Sequence, residues 1–329
     1  MVNEFYNLKY FSAIIGNDKS LIQGAGGNTS IKIGENLFIK ASGKRLSDAL
    51  NNDIFVKIKI NSLLNHNEFN TKNFLKNLKN LRPSIEAKFH AIIPKKIVIH
   101  THPIEINSIT IRNNSQEILN NKLKKFNWKF IEYATPGEKL FKVISESLLE
   151  SNYDVFVMAN HGLIIAAETT VDAKNKQNEV IDLCRQKKRM NHNINLNKLQ
   201  DIISIYTDFK LPQNELIHTL ATDSWSLELA SRNPPYPDHI LFCGKTPKII
   251  EERKLKEELN NVRNYCLIPG LGVIIRRNIS KIIEEMLLSQ AEIYLRIPIN
   301  NKVNVLNDIQ CREILNSENE KFRKIINLN

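Results

Sequence analysis

Ile97-Val-Ile-His-Thr-His-Pro103 is the stretch on which the reading of this chain turns. Its β-branched run predicts a strand over residues 96–102, stopped by Pro103. Successive side chains on a strand point to opposite faces, so His100 and His102 share one face. Two imidazoles side by side make a bidentate donor pair, and imidazole suits Zn, Cu, Fe or Ni. A His-x-His pair alone is equally the mark of two ordinary surface or core histidines. His161 changes that balance. It stands in Asn160-His-Gly162, between the apolar runs Asp154–Ala159 and Gly162–Ala167, which also read as strands. Three protein nitrogens with one position left open are the donor set of a catalytic rather than a structural zinc site.

Outward from this stretch, Leu37–Ala41 and Ile54–Ile60 alternate with period two and read as further strands. Helical patterns occupy residues 3–16, 84–93, 137–151 and 170–190, with Ser84 and Thr170 expected near N-caps. Strands alternating with helices predict an α/β domain. Residues 193–215 are polar and Asn-rich and form the expected boundary. The expected division is a catalytic domain over 1–200 and a smaller C-terminal α/β domain over 210–329. One echo links the two. Asn160-His-Gly-Leu-Ile-Ile165 and Gly270-Leu-Gly-Val-Ile-Ile275 share a glycine followed by three aliphatics, and aligning the glycines sets Leu271 opposite His161. Either the second half is a degenerate repeat without that metal-binding residue, or the two are unrelated strand–helix units. The sequence leaves both open.

At 329 residues, with 42% hydrophobic and 25% charged residues, the chain has the composition of a globular protein with a substantial core. Its formal charge of +11 would suit nucleic acid, an anionic membrane or phosphorylated metabolites. The charge is spread over segments such as Arg185-Gln-Lys-Lys-Arg189, with no zinc-finger spacing or RNA-recognition aromatic motif. Nucleic acid is therefore not an expected partner. Cys184, Cys243, Cys266 and Cys311 are far apart, which argues against a disulfide framework. No secretory signal or long apolar span is legible, so a cytoplasmic protein without membrane partners is expected.

Other residues supply chemistry near the histidines. Glu86, on Ser84-Ile-Glu-Ala-Lys-Phe-His-Ala91, is a carboxylate suited to a fourth ligand or a general base. His90, one turn later, reads as a structural or supporting residue. His239 stands in a loop-like segment, Asn233-Pro-Pro-Tyr-Pro-Asp-His239, and reads first as an ordinary loop histidine, with reach to a site as the alternative. Gln23-Gly-Ala-Gly-Gly-Asn-Thr-Ser30 can turn successive N–H groups into an anion-binding nest. Lys40-Ala-Ser-Gly-Lys-Arg45 adds a hydroxyl and cations, and Ser84 another hydroxyl near a helix start. Neither a Gly-x-Gly-x-x-Gly fingerprint nor a Walker pattern is present, so dinucleotide or ATP binding is not expected.

With these residues in view, the chain resembles the class II aldolase/adducin family. The resemblance covers most of residues 5–190. It rests on Gly26-Gly-Asn-Thr-Ser30, Ala41-Ser-Gly43, Pro83-Ser-Ile-Glu86 with His90, His100-Thr-His102, Tyr133-Ala-Thr-Pro-Gly137 and Asn160-His-Gly162, in that order. It is nearest to the aldolase half of fusions joining rhamnulose-phosphate aldolase to a short-chain dehydrogenase, a likeness that extends to Pro237-Asp-His239 and Pro269-Gly-Leu-Gly272. The dehydrogenase half is not in this sequence, so NAD is not expected.

The resemblance implies a three-layer α/β/α domain with a mainly antiparallel central sheet. It implies a divalent metal, Zn2+ by first choice, on His100, His102 and His161, with Glu86 as the acid/base. Gly27, Asn28, Ser42, Gly43 and Ser84 would hold the phosphate of a sugar-phosphate substrate. The implied reaction is reversible cleavage of a ketose phosphate to dihydroxyacetone phosphate and an aldehyde through an enediolate, in a homo-oligomer of four or two subunits. Two departures stand out. Ile85 replaces a second phosphate-binding serine, and the tyrosine that acts as an acid in the fuculose-phosphate enzyme has no match between residues 113 and 127. Decarboxylase, dehydratase or epimerase chemistry on the same site is the alternative, although the epimerase branch tends to carry Asp at the position of Glu86. A metal-free, adducin-like scaffold is a further alternative.

Overall fold

The computed structural model describes residues 2–65, 81–190 and 194–328. Asn193, the first residue of the expected boundary, lies outside them. Seven strands make the first sheet: β1 (Asn28–Ile33), β2 (Asn36–Lys40), β3 (Phe55–Lys59), β4 (Ile97–Thr101), β5 (Trp128–Ile131), β6 (Val155–Met158) and β7 (Gly162–Ala167). Their order is β3-β2-β1-β4-β7-β6-β5. Every neighbouring pair is antiparallel except β5 with β6.

β4 is the middle strand, and all five of its residues are buried. Strands covered on both faces read as unbroken apolar runs, which is how Gly162-Leu-Ile-Ile-Ala-Ala167 reads. Ile97 and Ile99 pack with Leu8, Phe11, Ile106 and Val180 of the helices Val2–Asn17, Ile104–Thr110 and Thr170–Cys184. Val98 faces the other way, toward Phe89 and Ile144 of the helices Ala87–Ile92 and Glu138–Leu148. Helices thus cover both faces of a mainly antiparallel sheet, the three-layer arrangement implied by the resemblance. His100 continues the Val98 face and meets Phe89 edge-on, with ring centroids 6.2 Å apart.

Two expected caps move. Thr169, not Thr170, caps its helix, accepting the Asp172 N–H at 3.1 Å. Ser84 is not a cap, because the helix starts at Ala87 with Glu86 in the N-cap position. The Ser84 hydroxyl instead accepts the Glu86 N–H at 3.2 Å and shapes the turn that carries Glu86.

The second half has its own sheet: β8 (Phe209–Lys210), β9 (Lys248–Ile249), β10 (Tyr265–Ile268) and β11 (Gly272–Arg276), in the order β8-β11-β10-β9. This repeats β4-β7-β6-β5 strand for strand, with antiparallel outer and hairpin pairs and one parallel pair. The hairpins share their register, with Met158 opposite Gly162 in one and Ile268 opposite Gly272 in the other. Each turn carries a positive φ, 54° at Asn160 and 74° at Gly270, and each hairpin leads into a 15-residue helix. Ile165 pairs with Ile99 as Ile275 pairs with Lys210. Counted from these pairs, Leu211, Gln213 and Leu271 stand where the first half has His100, His102 and His161. The stretch expected as boundary contains the helix Leu196–Ile205, whose Leu199 and Ile202 pack with Cys266 and Ile274 of the second sheet. Among the described residues no helix is long and apolar enough to cross a membrane.

Candidate metal centre

His100 and His102 lie at the end of the central strand, and His161 in the β6–β7 turn two strand widths from β1. Because β7 pairs with β4, the turn is brought beside the end of β4. One donor nitrogen from each of the three rings lies within 4.8 Å of the other two, and all three residues are buried. Gly162 permits this approach. A Cβ there would sit 2.4 Å from the Thr101 carbonyl oxygen, 3.0 Å from His102 Cδ2 and 3.3 Å from His100 Cε1.

Each of the two strand histidines is held through its outer nitrogen. His100 Nδ1 lies 3.1 Å from the Leu163 carbonyl, which can only accept, so Nδ1 donates and Nε2 keeps its lone pair. His102 Nδ1 lies 3.2 Å from the Asp238 carboxylate. The two Nε2 atoms face each other at 3.0 Å, close enough to share one proton or one cation. Burial pulls His100 down to about 4 and His161 well below the usual imidazole range, so both are neutral donors at neutral pH. The residues therefore fit a divalent metal: three imidazole nitrogens converge, with the Leu163 carbonyl behind one ring and the Asp238 carboxylate behind another. Among the described residues this is the one group of three His, Cys, Asp or Glu side chains so arranged.

Glu86 reaches the same point from the turn before its helix. Its Oε1 is 3.5 Å from His161 Nε2 and its Oε2 3.7 Å from His100 Nε2. Asn28 Nδ2 donates to Oε2 at 2.6 Å, while Oε1 is buried without a hydrogen-bond partner. His90 is elsewhere, 2.7 Å from the Ser30 hydroxyl and stacked on Phe89. Its structural reading agrees with that placement.

Gly27, Asn28, Ser42, Gly43 and Ser84 all line one cavity with Glu86, His102 and His161, and Ile85 lines it too. Gly27 and Gly43 have φ of 58° and 76°, the left-handed region that glycine enters freely. Lys40 also lines the cavity; its ammonium donates to the carbonyls of Ala25 and Lys44 at 2.8 and 2.9 Å. Burial, aided by Arg323, draws Lys40 down to about 7. The cavity volume is about 30 Å³, far below the roughly 300–1,000 Å³ of small-molecule sites. One of its walls is built by residues far from the others in sequence.

That wall comes from the second half. Asp238, Asn319, Glu320 and Arg323 line the same cavity. Asp238 sits at the start of the helix Pro237–Cys243, and Arg323 on the C-terminal helix Glu318–Leu328 forms an ion pair with it. The Arg323 guanidinium and the His102 ring hold Asp238 well below the usual carboxylate range in spite of its burial. Arg82 stacks on Phe322 at 3.7 Å, and Asn327 Nδ2 donates to the Gly43 carbonyl at 3.3 Å, fixing the C-terminal helix over the Ser42-Gly43 turn. His239, read first as a loop histidine with reach to a site as the alternative, is on the helix Pro237–Cys243, buried beside Tyr236, and does not line the cavity. Its neighbour Asp238 is the residue that reaches the site. No spacing rule links Asp238 to His102 across 136 positions; the only trace was its place in Pro237-Asp-His239.

Comparison with known proteins gives the family. The family model for the Class II Aldolase and Adducin N-terminal domain matches residues 11–187, more than half of the chain. An uncharacterized oxidoreductase of Bacillus subtilis, YuxG, is 30% identical over 200 residues, covering 54% of this chain and 29% of that protein. The chain thus spans under a third of the length of that relative, consistent with a likeness to one part of a fusion. An L-fuculose phosphate aldolase of Methanocaldococcus jannaschii is 24% identical over 163 residues, covering 47% of this chain and 80% of the relative. Among solved structures, the N-terminal class II aldolase domain of a conserved protein from Thermoplasma acidophilum aligns with a TM-score of 0.45 at 26% identity, covering 54% of this chain and 90% of that one. The chain belongs to the class II aldolase and adducin family.

Proposed function

We propose that this protein is a metal-dependent aldolase that reversibly cleaves a ketose phosphate to dihydroxyacetone phosphate and an aldehyde. The observation that carries the reading is the convergence of two imidazole nitrogens at 3.0 Å with His161 and the partnerless Oε1 of Glu86 beside them. His100, His102 and His161 are the metal ligands in this reading. A divalent cation held there, Zn2+ by first choice, supplies a Lewis acid that offsets negative charge developing on substrate oxygens.

The remaining work belongs to side chains. Glu86, with Asn28 fixing its Oε2, exchanges a proton with the carbon that is carbanionic in the enediolate. The glycine loop at Gly27 and Asn28, the turn at Ser42 and Gly43, and Ser84 take the substrate phosphate; Lys40 lines the cavity beside them. The buried second-half wall keeps water from the reacting carbon. The same reading places the protein in the cytoplasm as a homo-oligomer.

The test incubates purified protein with dihydroxyacetone phosphate and a panel of aldehydes, with and without EDTA, and identifies products by NMR. Aldol products that vanish with the metal and return on its restoration are expected. Full aldol activity in stringently metal-depleted protein refutes the mechanism, and a decarboxylated, dehydrated or epimerised product redirects it.

A further inference from the structure

Aldol cleavage moves two protons at two places. One leaves the hydroxyl on the carbon that becomes the aldehyde; the other arrives at the carbon that keeps the electron pair of the broken bond. A single carboxylate can serve one position well, since proton transfer needs hydrogen-bond reach at each. Glu86 is assigned to the carbon. Residues 113–127 hold no tyrosine for the hydroxyl.

The cavity narrows the choice. Lys40 is engaged by two carbonyls, and Arg323 stays charged in proteins. Asp238 is tied to both His102 and Arg323. Ser42 and Ser84 are alcohols, far too weak as acids. Glu320 remains. Its side chain is 8% exposed, and its Oε2, although 3.1 Å from Arg323 Nε, has no aligned hydrogen-bond partner. It lines the cavity with Glu86 and His161 while coming from the opposite wall. It also lies outside the region that matches the family.

We propose that Glu320, carried by the C-terminal helix Glu318–Leu328, is the second proton-transfer residue of this site, held in place by Arg323. The inference rests on the aldolase reading above. In cleavage the Glu320 carboxylate takes the hydroxyl proton, the freed oxygen pair forms the C=O bond, and the C–C pair passes to the other carbon, giving the enediolate. Glu86 then protonates that carbon to release dihydroxyacetone phosphate. Condensation runs the same steps backward, and both carboxyls re-equilibrate with solvent between turnovers. Burial pushes Glu320 up to about 7, against the opposing pull of Arg323, so both of its forms are present near neutral pH.

Deuterium exchange into dihydroxyacetone phosphate in D2O separates the two roles, because it needs only enediolate formation and Glu86. For Glu320→Gln the expected result is exchange within about threefold of the parent and unchanged bound metal, with aldol turnover in both directions down roughly 10²–10⁴-fold. Glu86→Gln should lose exchange and turnover together. Glu320→Asp, which keeps the carboxyl, should recover part of the turnover. Glu320→Gln with parental turnover overturns the assignment, as does exchange falling in proportion to turnover or Gln and Asp variants that are equally impaired. Parent protein that holds metal yet shows neither exchange nor aldol products overturns the aldolase reading itself, and this inference with it.

Discussion

Asp238→Asn tests whether the second half is part of the metal centre. The substitution keeps the shape but removes the charge that faces His102 Nδ1 at 3.2 Å and pairs with Arg323. Two effects follow, with different sizes. Loss of the carboxylate behind a ligating imidazole lowers metal affinity by about 10–100-fold, or about 1.4–2.8 kcal/mol. Separately, Arg323, whose side chain is only 16% exposed, keeps a buried charge with Glu320 as its remaining partner. Breaking a buried pair from one side costs about 3–5 kcal/mol of stability. Titration calorimetry with Zn2+ reads the first effect and thermal melting of metal-free protein the second. Adding Arg323→Met to Asp238→Asn removes the stranded charge and should restore much of the stability while leaving the affinity low. If stability and affinity recover together, Asp238 acts only through the fold, and the claim that it orients His102 is wrong.

His161→Ala should bind Zn2+ at least 100-fold more weakly by calorimetry, whereas the parent at 100 times its Kd should gain about 2.7 kcal/mol of stability; equal affinities would remove His161 from the ligand set. Gly162→Ala must push the β7 turn back by about 1 Å, since the new Cβ meets the Thr101 carbonyl at 2.4 Å where 3.4 Å is ordinary contact. It should cost about 1–3 kcal/mol and weaken metal binding, and an unchanged melting curve would show the approach to be looser than described. Glu320, raised from 4.5 to about 7, adds stability that is complete below pH 4.5 and lost as pH rises to about 7. Glu320→Gln should therefore gain stability relative to the parent on going from pH 4 to pH 8, by up to about 3 kcal/mol. Parallel stability–pH curves for the two proteins would show that the carboxyl is not buried as described.

Much of the first half was legible because its information is local. The apolar runs Gly162-Leu-Ile-Ile-Ala-Ala167 and Ile97-Val-Ile99 report burial on two faces directly, and the observed β7 has the bounds read from sequence. His100 and His102 are adjacent by strand geometry alone, and His161 is marked by the glycine that follows it. Helix ends were less legible. Ser84 looked like a cap, but its hydroxyl serves the turn ahead of the helix, because Pro83 pairs with Ala41 and holds the chain extended there. The echo between Asn160–Ile165 and Gly270–Ile275 was visible as three aliphatics after a glycine. Its meaning came from hydrogen-bond register, which set Leu211 and Gln213 in the places of the other two histidines.

What the sequence by itself determined is thus the candidate donor set: two imidazoles on one strand face, a third beside a glycine, and the carboxylate and glycine loop that accompany them. Short-range periodicity is sufficient for that, since strand geometry dictates which side chains share a face. What only the tertiary structure decided is who surrounds the donors. Asp238, Glu320 and Arg323 are separated from His102 by well over a hundred residues and reach it because the second half folds back on the first, through contacts such as Asn160 with Pro235 and Glu285 with Arg45 and Gly24. Such pairings depend on packing of two sheets and their helices, a long-range property with no period in the chain, so the residues that tune the site could be found only once the fold was in hand.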